Sequence, residues 1–134
     1  MPWEAEYGYA QALKVGNTIY LSGQVSNDAE GNIVGAAPLD EQDRILDHGN
    51  MAIQMKQAYE NARQLLQKYG ADLDNVVEEV LYVTDMDAAF EVAGPVRKQA
   101  YAAEMPAVAS TLVVTPRLAL ASLLVEIKFV AKVP

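Results

Sequence analysis

Cysteine is absent from the sequence, and histidine occurs once, at His48. The lack of cysteine excludes disulfides, thiolate nucleophiles and cysteine-ligated zinc. A single histidine cannot form the multi-histidine sites that bind transition metals. His48 also stands near an expected helix start, where a capping or surface role is typical. We therefore expect no metal site.

Basic residues are scarce. The chain has 10 Lys and Arg against 18 Asp and Glu, which gives a formal net charge of −8. This charge repels the phosphates of nucleic acids and the anionic surface of membranes. We therefore expect no nucleic-acid partner.

Long apolar runs and targeting signals are also missing. The longest apolar runs, such as 118–125, are far shorter than the roughly 20 residues that cross a bilayer. Residues 1–9 lack the basic and then apolar pattern of a secretory or mitochondrial leader. From these absences we predict a cytoplasmic protein with no membrane partner.

Motifs of nucleotide and ester chemistry are lacking too. The glycines of segment 31–35 are not followed by the Lys-Ser/Thr pair of a phosphate loop, so we interpret them as turn formers. Ser22 lies outside the Gly-x-Ser-x-Gly context of a hydrolase nucleophile, and His48 is the one histidine that could serve as its base. Neither nucleotide hydrolysis nor serine-hydrolase chemistry is expected.

The residues that are present favour one globular domain, 1–134. The chain has 134 residues, of which 51% are apolar and 21% charged, as in ordinary globular proteins. Hydrophobic periodicity and turn residues predict its elements. These are a hairpin of strands 9–15 and 18–22, a short strand at 33–34, a helix over 47–69, a strand over 76–84, a second helix over 87–104 broken at Gly94-Pro95 and ended by Pro106, and strands over 110–115 and 122–132.

The first of these helices has a clear apolar face. Its members are spaced by three and four residues, which aligns them along one side of a helix. They are Met55, Ala58, Ala62, Leu65 and Tyr69, and Gly70 follows where a left-handed residue commonly ends a helix.

The element order predicts an α+β fold with one mixed β-sheet and two helices packed on one face. In the last strand, odd-numbered residues from 123 to 129 share one face and even-numbered residues from 122 to 130 share the other, so Glu126 points away from the main core. The face that carries Glu126 mixes charged and apolar residues. We expect a symmetric homo-oligomer to bury part of it.

Glu126 is the strongest candidate for chemistry, because it is a carboxylate in a strand otherwise built for burial. One interpretation is a general acid/base or water-orienting group with a raised pKa. The other is a glutamate that faces solvent or pairs with Lys128 or Arg117. Tyr9 is open in the same way, either as a core residue or as a wall or hydrogen-bond donor of a pocket.

Several segments together resemble the RidA/YjgF family. They are Gly-Tyr-Ala-Gln-Ala at 8–12, Val-Gly-Asn-Thr-Ile-Tyr-Leu-Ser-Gly-Gln at 15–24, Gln-Ala-Tyr-Glu-Asn at 57–61, Tyr-Val-Thr-Asp at 82–85 and Leu-Val-Glu-Ile at 124–127. The ending, 126–134, is most similar to the YjgH-like branch. The resemblance implies a chorismate-mutase-like fold, a homotrimeric barrel and three small-molecule clefts between subunits. It further implies hydrolysis of 2-imino or enamine acids to 2-keto acids and ammonia, with no cofactor.

The resemblance also implies a site. Tyr9, Gly23 and Glu126 match the family motifs, in which the final-strand glutamate positions the attacking water and the tyrosine and the Ser-Gly-Gln segment complete the cleft. The family arginine that binds the substrate carboxylate falls on Thr111 here, or on Ser110 one residue away. We therefore predict an altered substrate, either one without the usual carboxylate or one held by the hydroxyls of Ser110 and Thr111.

Two other arginines, Arg97 and Arg117, lie outside the motif position, and we interpret them as surface charges. Two functions stay open at this point. The first is an imine- or enamine-hydrolysing enzyme with an altered substrate. The second is a non-catalytic trimer that binds a metabolite or a protein in the same cleft.

Overall fold

The computed structural model of the protein describes residues 3–134. Its elements, in chain order, are α1 (Trp3–Tyr7), β1 (Ala12–Val15), β2 (Thr18–Gln24), α2 (Met51–Gln67), a short 3-10 helix (Leu73–Asn75), β3 (Val76–Val83), α3 (Met86–Tyr101), β4 (Ala109–Val114) and β5 (Val125–Lys132).

The five strands form one mixed sheet in the order β1-β2-β5-β3-β4. Strands β3 and β4 are parallel, and the other neighbouring pairs are antiparallel. Helices α2 and α3 cover one face of this sheet and enclose the core with it. The predicted α+β architecture is confirmed. We call the opposite face of the sheet the outer face.

Strand β5 alternates as its sequence predicts. Val125, Ile127 and Phe129 are fully buried under the helices, whereas Glu126 and Lys128 are not. The strand begins at Val125 rather than at residue 122, because residues 120–124 turn before they enter the sheet. Glu126 thus lies on the outer face near the start of the strand.

The predicted apolar face of α2 is correct in its first turns and displaced in its last. Met55, Ala58 and Ala62 are fully buried, but at the end of the helix Leu66 is buried in place of Leu65. Tyr69 lies beyond the helix end. An α-helix has 3.6 residues per turn, so an alternation of three and four drifts from the buried side over several turns.

The predicted break in α3 is wrong. The helix runs continuously through Pro95 and ends at Tyr101, where Ala102 adopts a left-handed φ of 51°. It therefore stops before Glu104 and well before Pro106, so Pro106 is not the terminating residue. At its start, the Asp85 carboxylate accepts a hydrogen bond from the Ala88 amide at 2.9 Å, which fixes the first turn as an N-cap.

The N-terminal half of the structure differs from the sequence analysis at three further points. Segment 33–34 forms an isolated bridge between Ile33 and Asn27 and no strand. Strand β1 begins at Ala12 rather than at residue 9, and α1 was not predicted at all. A five-residue helix is too short to be stable on its own sequence pattern, so it depends on the contacts around it.

A buried amide holds the two long loops against α2. Gln54 donates from Nε2 to the carbonyls of Gly35 and Ser122, at 2.9 Å each, and its Oε1 accepts from the Leu124 amide at 2.7 Å. A buried amide with these partners has its hydrogen-bonding groups satisfied. Because Leu124 directly precedes β5, Gln54 also sets the point from which Glu126 projects.

Within residues 3–134, no helix is long and apolar enough to span a membrane. The same part of the chain contains no group of three or more carboxylate or histidine side chains placed to hold a metal ion.

Candidate functional site

A pocket of about 340 Å³ lies beside Glu126. Its walls come from α1 and the segment after it, from the end of β2 and from the loop between β4 and β5. We call it the Glu126 pocket. It is lined by Trp3, Tyr7, Tyr9, Ser22, Gly23, Val25, Ala119, Leu120, Leu123 and Glu126.

The pocket sits at an irregularity in the sheet. Leu21 pairs with Phe129 and Gln24 pairs with Ile127, so three residue steps on β2 face two on β5. Such an extra residue is a β-bulge, and bulges bend a strand and redirect its side chains. Gly23 lies inside this bulge, and its backbone is close to the side chain of Glu126.

Gly23 and Glu126 approach so closely that no side chain fits between them. A Cβ built on Gly23 would lie 2.6 Å from Cδ and 2.8 Å from Cγ of Glu126, which is well inside van der Waals contact. A side chain at position 23 would therefore force the Glu126 side chain or the bulge to shift. Its backbone conformation is one that other residues adopt without strain.

The Glu126 carboxyl is half-buried, and burial raises its pKa above the usual range of a glutamate. Among the residues that the structure describes, none donates a hydrogen bond to it or forms an ion pair with it; the pairing with Lys128 or Arg117 considered from sequence is not formed. An unpaired carboxylate at the edge of a pocket is available to a ligand or to water.

Tyr9 stands across the same pocket and remains 40% exposed. Burial, then the negative charges of Glu4 and Glu126, raise the pKa of its phenol. The phenol is consequently protonated at neutral pH and can donate a hydrogen bond into the pocket. Its oxygen accepts a long hydrogen bond of 3.4 Å from Gln11 Nε2.

The structure separates Ser110 from this pocket. Ser110 lies on the helix-covered face, where its hydroxyl donates to Glu79 Oε2 at 2.6 Å. Thr111, the next residue, pairs with Val80 and lies on the outer face, as Glu126 does, but it does not line the pocket of a single chain. The two hydroxyls predicted to act together thus point to opposite faces of the sheet.

Neither of the two arginines considered from sequence reaches the pocket. Arg97 donates from Nε to Glu79 at 2.8 Å beneath the sheet, so its interpretation as a surface charge is wrong. Arg117 is exposed and lines a different cavity. No lysine or arginine is present among the described residues that line the Glu126 pocket.

Sequence reasoning missed the aromatic wall of the pocket. Trp3 and Tyr7 belong to α1, whose short length leaves no periodic signal. It also missed Glu79, which is fully buried in β3. A signal for Glu79 did exist, because Glu79 alternates with the apolar Leu81 and Val83 and must share their face.

We expect Gly23→Ala to destabilise the protein by about 1–3 kcal/mol, because overpacking forces either the bulge or Glu126 to move. Gly94→Ala is the matched control, since a Cβ there meets nothing within 4 Å inside α3, and alanine favours a helix by up to about 1 kcal/mol. Urea unfolding of both variants measures the difference. Equal stability of the two variants would contradict the close approach at Gly23.

A family model described as Endoribonuclease L-PSP matches residues 2–133 of the chain. The chain belongs to the RidA/YjgF family. The family prediction from sequence is therefore confirmed.

Two curated relatives illustrate the match. The chain is 35% identical over 80 residues to a RutC family protein of Pyrococcus abyssi. This alignment covers 59% of this chain and 53% of the relative. It is 33% identical over 100 residues to the 2-iminobutanoate/2-iminopropanoate deaminase of Bos taurus. This second alignment covers 74% of this chain and 63% of that enzyme. The match thus spans between half and two thirds of these RidA/YjgF relatives.

Solved structures share the fold over nearly the whole chain. Rv2704 of Mycobacterium tuberculosis, described as a YjgF/YER057c/UK114 family member, has a TM-score of 0.76 at 24% identity and covers 99% of this chain and 93% of its own. A protein named YjgH has a TM-score of 0.75 at 25% identity and covers 98% and 88%. Because other members score similarly, assignment to the YjgH-like branch stays a prediction.

Proposed function

We propose that this RidA/YjgF member hydrolyses an imine, or the enamine in equilibrium with it, to a carbonyl compound and ammonia. The observation that carries the proposal is the unpaired, half-buried Glu126 carboxylate, held against Gly23 at the edge of the pocket. The deaminase named among the relatives supports the same reaction class.

The chemistry needs one group that takes a proton and returns it. Water attacks the carbon of the protonated imine while Glu126 accepts a proton from that water, and the π electrons of the C–N double bond move to nitrogen to give a neutral carbinolamine. Glu126 then gives the proton to the nitrogen, the C–N bond breaks as the hydroxyl oxygen forms the carbonyl, and the hydroxyl proton leaves with the ammonia as ammonium. A raised pKa of Glu126 suits both proton transfers, because the carboxyl must gain and then lose a proton near neutral pH.

The lining of the pocket indicates the substrate. Its walls are aromatic and aliphatic, with Trp3, Tyr7 and Leu120 among them, so they favour an imine with an apolar or aromatic substituent. The described lining offers no cation for a substrate carboxylate. We therefore propose a substrate whose binding does not depend on a carboxylate, with the Tyr9 hydroxyl as a hydrogen-bond donor.

We also propose a homotrimer whose outer faces meet. Many apolar side chains stand exposed or half-buried on the outer face of a single chain, which is a large surface to leave in water. They include Leu13, Val15, Tyr20, Val80, Tyr82, Val113 and Val130. In such a trimer a neighbouring copy brings its own outer face, with Thr111, towards the cleft beside Glu126.

The same lack of a cation in the described pocket lining favours a second function, binding of a small metabolite or a protein segment without catalysis. It predicts an intact trimer that accelerates no imine hydrolysis. The two functions therefore differ in rate alone.

The experiment first establishes the mass of the protein, expected near three times 14.6 kDa, and then measures ammonia release. Imines are generated in place from alanine and phenylalanine with an amino-acid oxidase, and from phenethylamine with an amine oxidase. We expect the phenyl-bearing imines to be hydrolysed about tenfold faster than 2-iminopropanoate, because the phenyl ring buries apolar area in the pocket. No acceleration of any of the three would reject the proposed hydrolysis and favour the binding function instead.

A further inference from the structure

A second cavity, of about 400 Å³, is also lined by residues of the β4–β5 loop but shares no residue with the Glu126 pocket. We call it the His48 cavity. It is lined by Gln42, Asp43, Arg44, Ile45, His48, Thr84, Pro116, Arg117 and Ala121. The proposed reaction uses none of these residues.

The His48 cavity brings together several of the few cationic or titratable basic side chains of an acidic protein. The chain contains four arginines and one histidine at a net charge of −8, and two of those arginines and the histidine line this one cavity. Asp43 is the single acidic residue in the lining. Asp40 lies outside this lining and pairs with Arg44 at 2.8 Å, so Arg117 is the arginine of the lining that has no carboxylate partner among residues 3–134 and can attract an anion.

The two arginines are held differently. Arg44 already donates from Nε to Asp40 at 2.8 Å and from Nη2 to Gln42 at 3.2 Å. Arg117 makes a weak hydrogen bond of 3.3 Å from Nε to the carbonyl of its neighbour Leu118, and no carboxylate of residues 3–134 pairs with it. The terminal nitrogens of Arg117 are thus free to form a two-point contact with an oxyanion.

Thr84 supplies an independent observation. Its Oγ1 is buried and has no hydrogen-bond partner within the described chain, although the residue lines the cavity. A buried hydroxyl without a partner is energetically unfavourable. A ligand oxygen in the cavity that reached this hydroxyl would give it a partner.

We propose that the His48 cavity binds a small oxyanion, the carboxylate or phosphate group of a metabolite, through Arg117, His48 and the Thr84 hydroxyl. This site is separate from the Glu126 pocket, and the proposal does not depend on the reaction proposed there.

The single histidine makes the test site-specific, because His48 gives the only imidazole signals in an NMR spectrum of the protein. Sodium phosphate and sodium propionate are titrated separately at fixed pH and ionic strength. We expect a saturable shift of the His48 ring signals with a Kd of about 1–10 mM for at least one of them. Saturation by phosphate alone or by propionate alone identifies the preferred oxyanion.

Variants distinguish a specific anion-binding site from nonspecific electrostatic attraction. Arg117→Gln should weaken binding about tenfold or more, because it removes the two-point contact, and Thr84→Val should weaken it about threefold or more. Arg63→Gln makes the same charge change on α2, where Arg63 pairs with Glu60, and should leave binding unchanged. Shifts that do not saturate, or an equal loss in the Arg63 and Arg117 variants, would overturn the proposal.

Discussion

Replacing Glu126 with glutamine should lower the rate of ammonia release by about 10²–10⁴-fold, the usual contribution of a general acid–base group. Glutamine keeps the shape of the side chain beside Gly23 but cannot take a proton from water. The measurement is the rate of ammonia release from the imine that the wild-type protein hydrolyses fastest. Glu91→Gln, an exposed change on α3, is the control and should retain the full rate.

The pH dependence of the rate gives a second readout. The wild-type rate should fall as pH decreases through the pKa of Glu126, because protonation removes the base, and burial places that pKa above the usual glutamate range. The residual rate of Glu126→Gln should lack this acidic limb. A variant that keeps the wild-type rate and pH profile would remove Glu126 from the mechanism.

We do not expect unfolding to cause the lower rate of the Glu126→Gln variant. A carboxyl whose pKa is raised in the folded state contributes its stability at low pH and loses it as pH rises through that value, so the ionised group opposes folding at neutral pH. The neutral amide should therefore unfold at the same or a higher urea concentration than the wild type. Its mass in solution should also be unchanged.

The face on which Glu126 lies could be predicted from one local pattern, the alternation of residues in β5. Strict alternation in β5 places Glu126 opposite to Val125 and Ile127, which are buried, and a period of two residues follows from strand geometry alone. The close approach of Gly23 to the Glu126 side chain was harder to predict from the sequence. It depends on a bulge in the pairing of β2 with β5, and pairing register between distant strands is set by tertiary packing rather than by local sequence.

The wrong predictions for α3 and Ser110 also arise because tertiary packing, rather than local sequence, decides these features. Helix α3 passes through Pro95, although proline removes a hydrogen bond within a helix, because packing of its buried face, with Ala93 and Val96, outweighs the local preference. Ser110 was assigned to the site by counting along the chain. Its neighbour relations across the sheet, opposite Glu79, place it on the covered face instead.

The largest effect on stability is expected at Glu79. This residue is fully buried, and its carboxylate accepts four hydrogen bonds: Oε1 from the hydroxyls of Tyr59 and Tyr101 at 2.7 Å each, and Oε2 from Arg97 at 2.8 Å and from Ser110 at 2.6 Å. Burial and the charge of Glu79 raise the pKa of both tyrosines, so both phenols stay protonated as donors. The cluster joins α2, α3, β3 and β4.

Glu79→Ala should therefore lower the free energy of unfolding by about 3–5 kcal/mol, the usual result of removing one partner from a buried charge pair. The loss arises because Arg97, 23% exposed, keeps its charge without a counter-ion, and two buried phenols lose their acceptor. Glu79→Gln should lose less, since its amide oxygen still accepts from the tyrosines while its NH₂ group faces the donors of Arg97 and Ser110.

The matched control is Glu78→Ala, the neighbouring residue of β3, whose side chain is exposed and whose loss should change stability by less than about 0.5 kcal/mol. Urea unfolding at one fixed protein concentration measures all three variants, since oligomerisation makes apparent stability depend on concentration. If Glu79→Ala and Glu78→Ala unfold at the same urea concentration, the buried cluster does not hold the helices on the sheet. If only Glu79→Ala is destabilised, the carboxylate beneath the sheet is structural and holds the helices on the sheet.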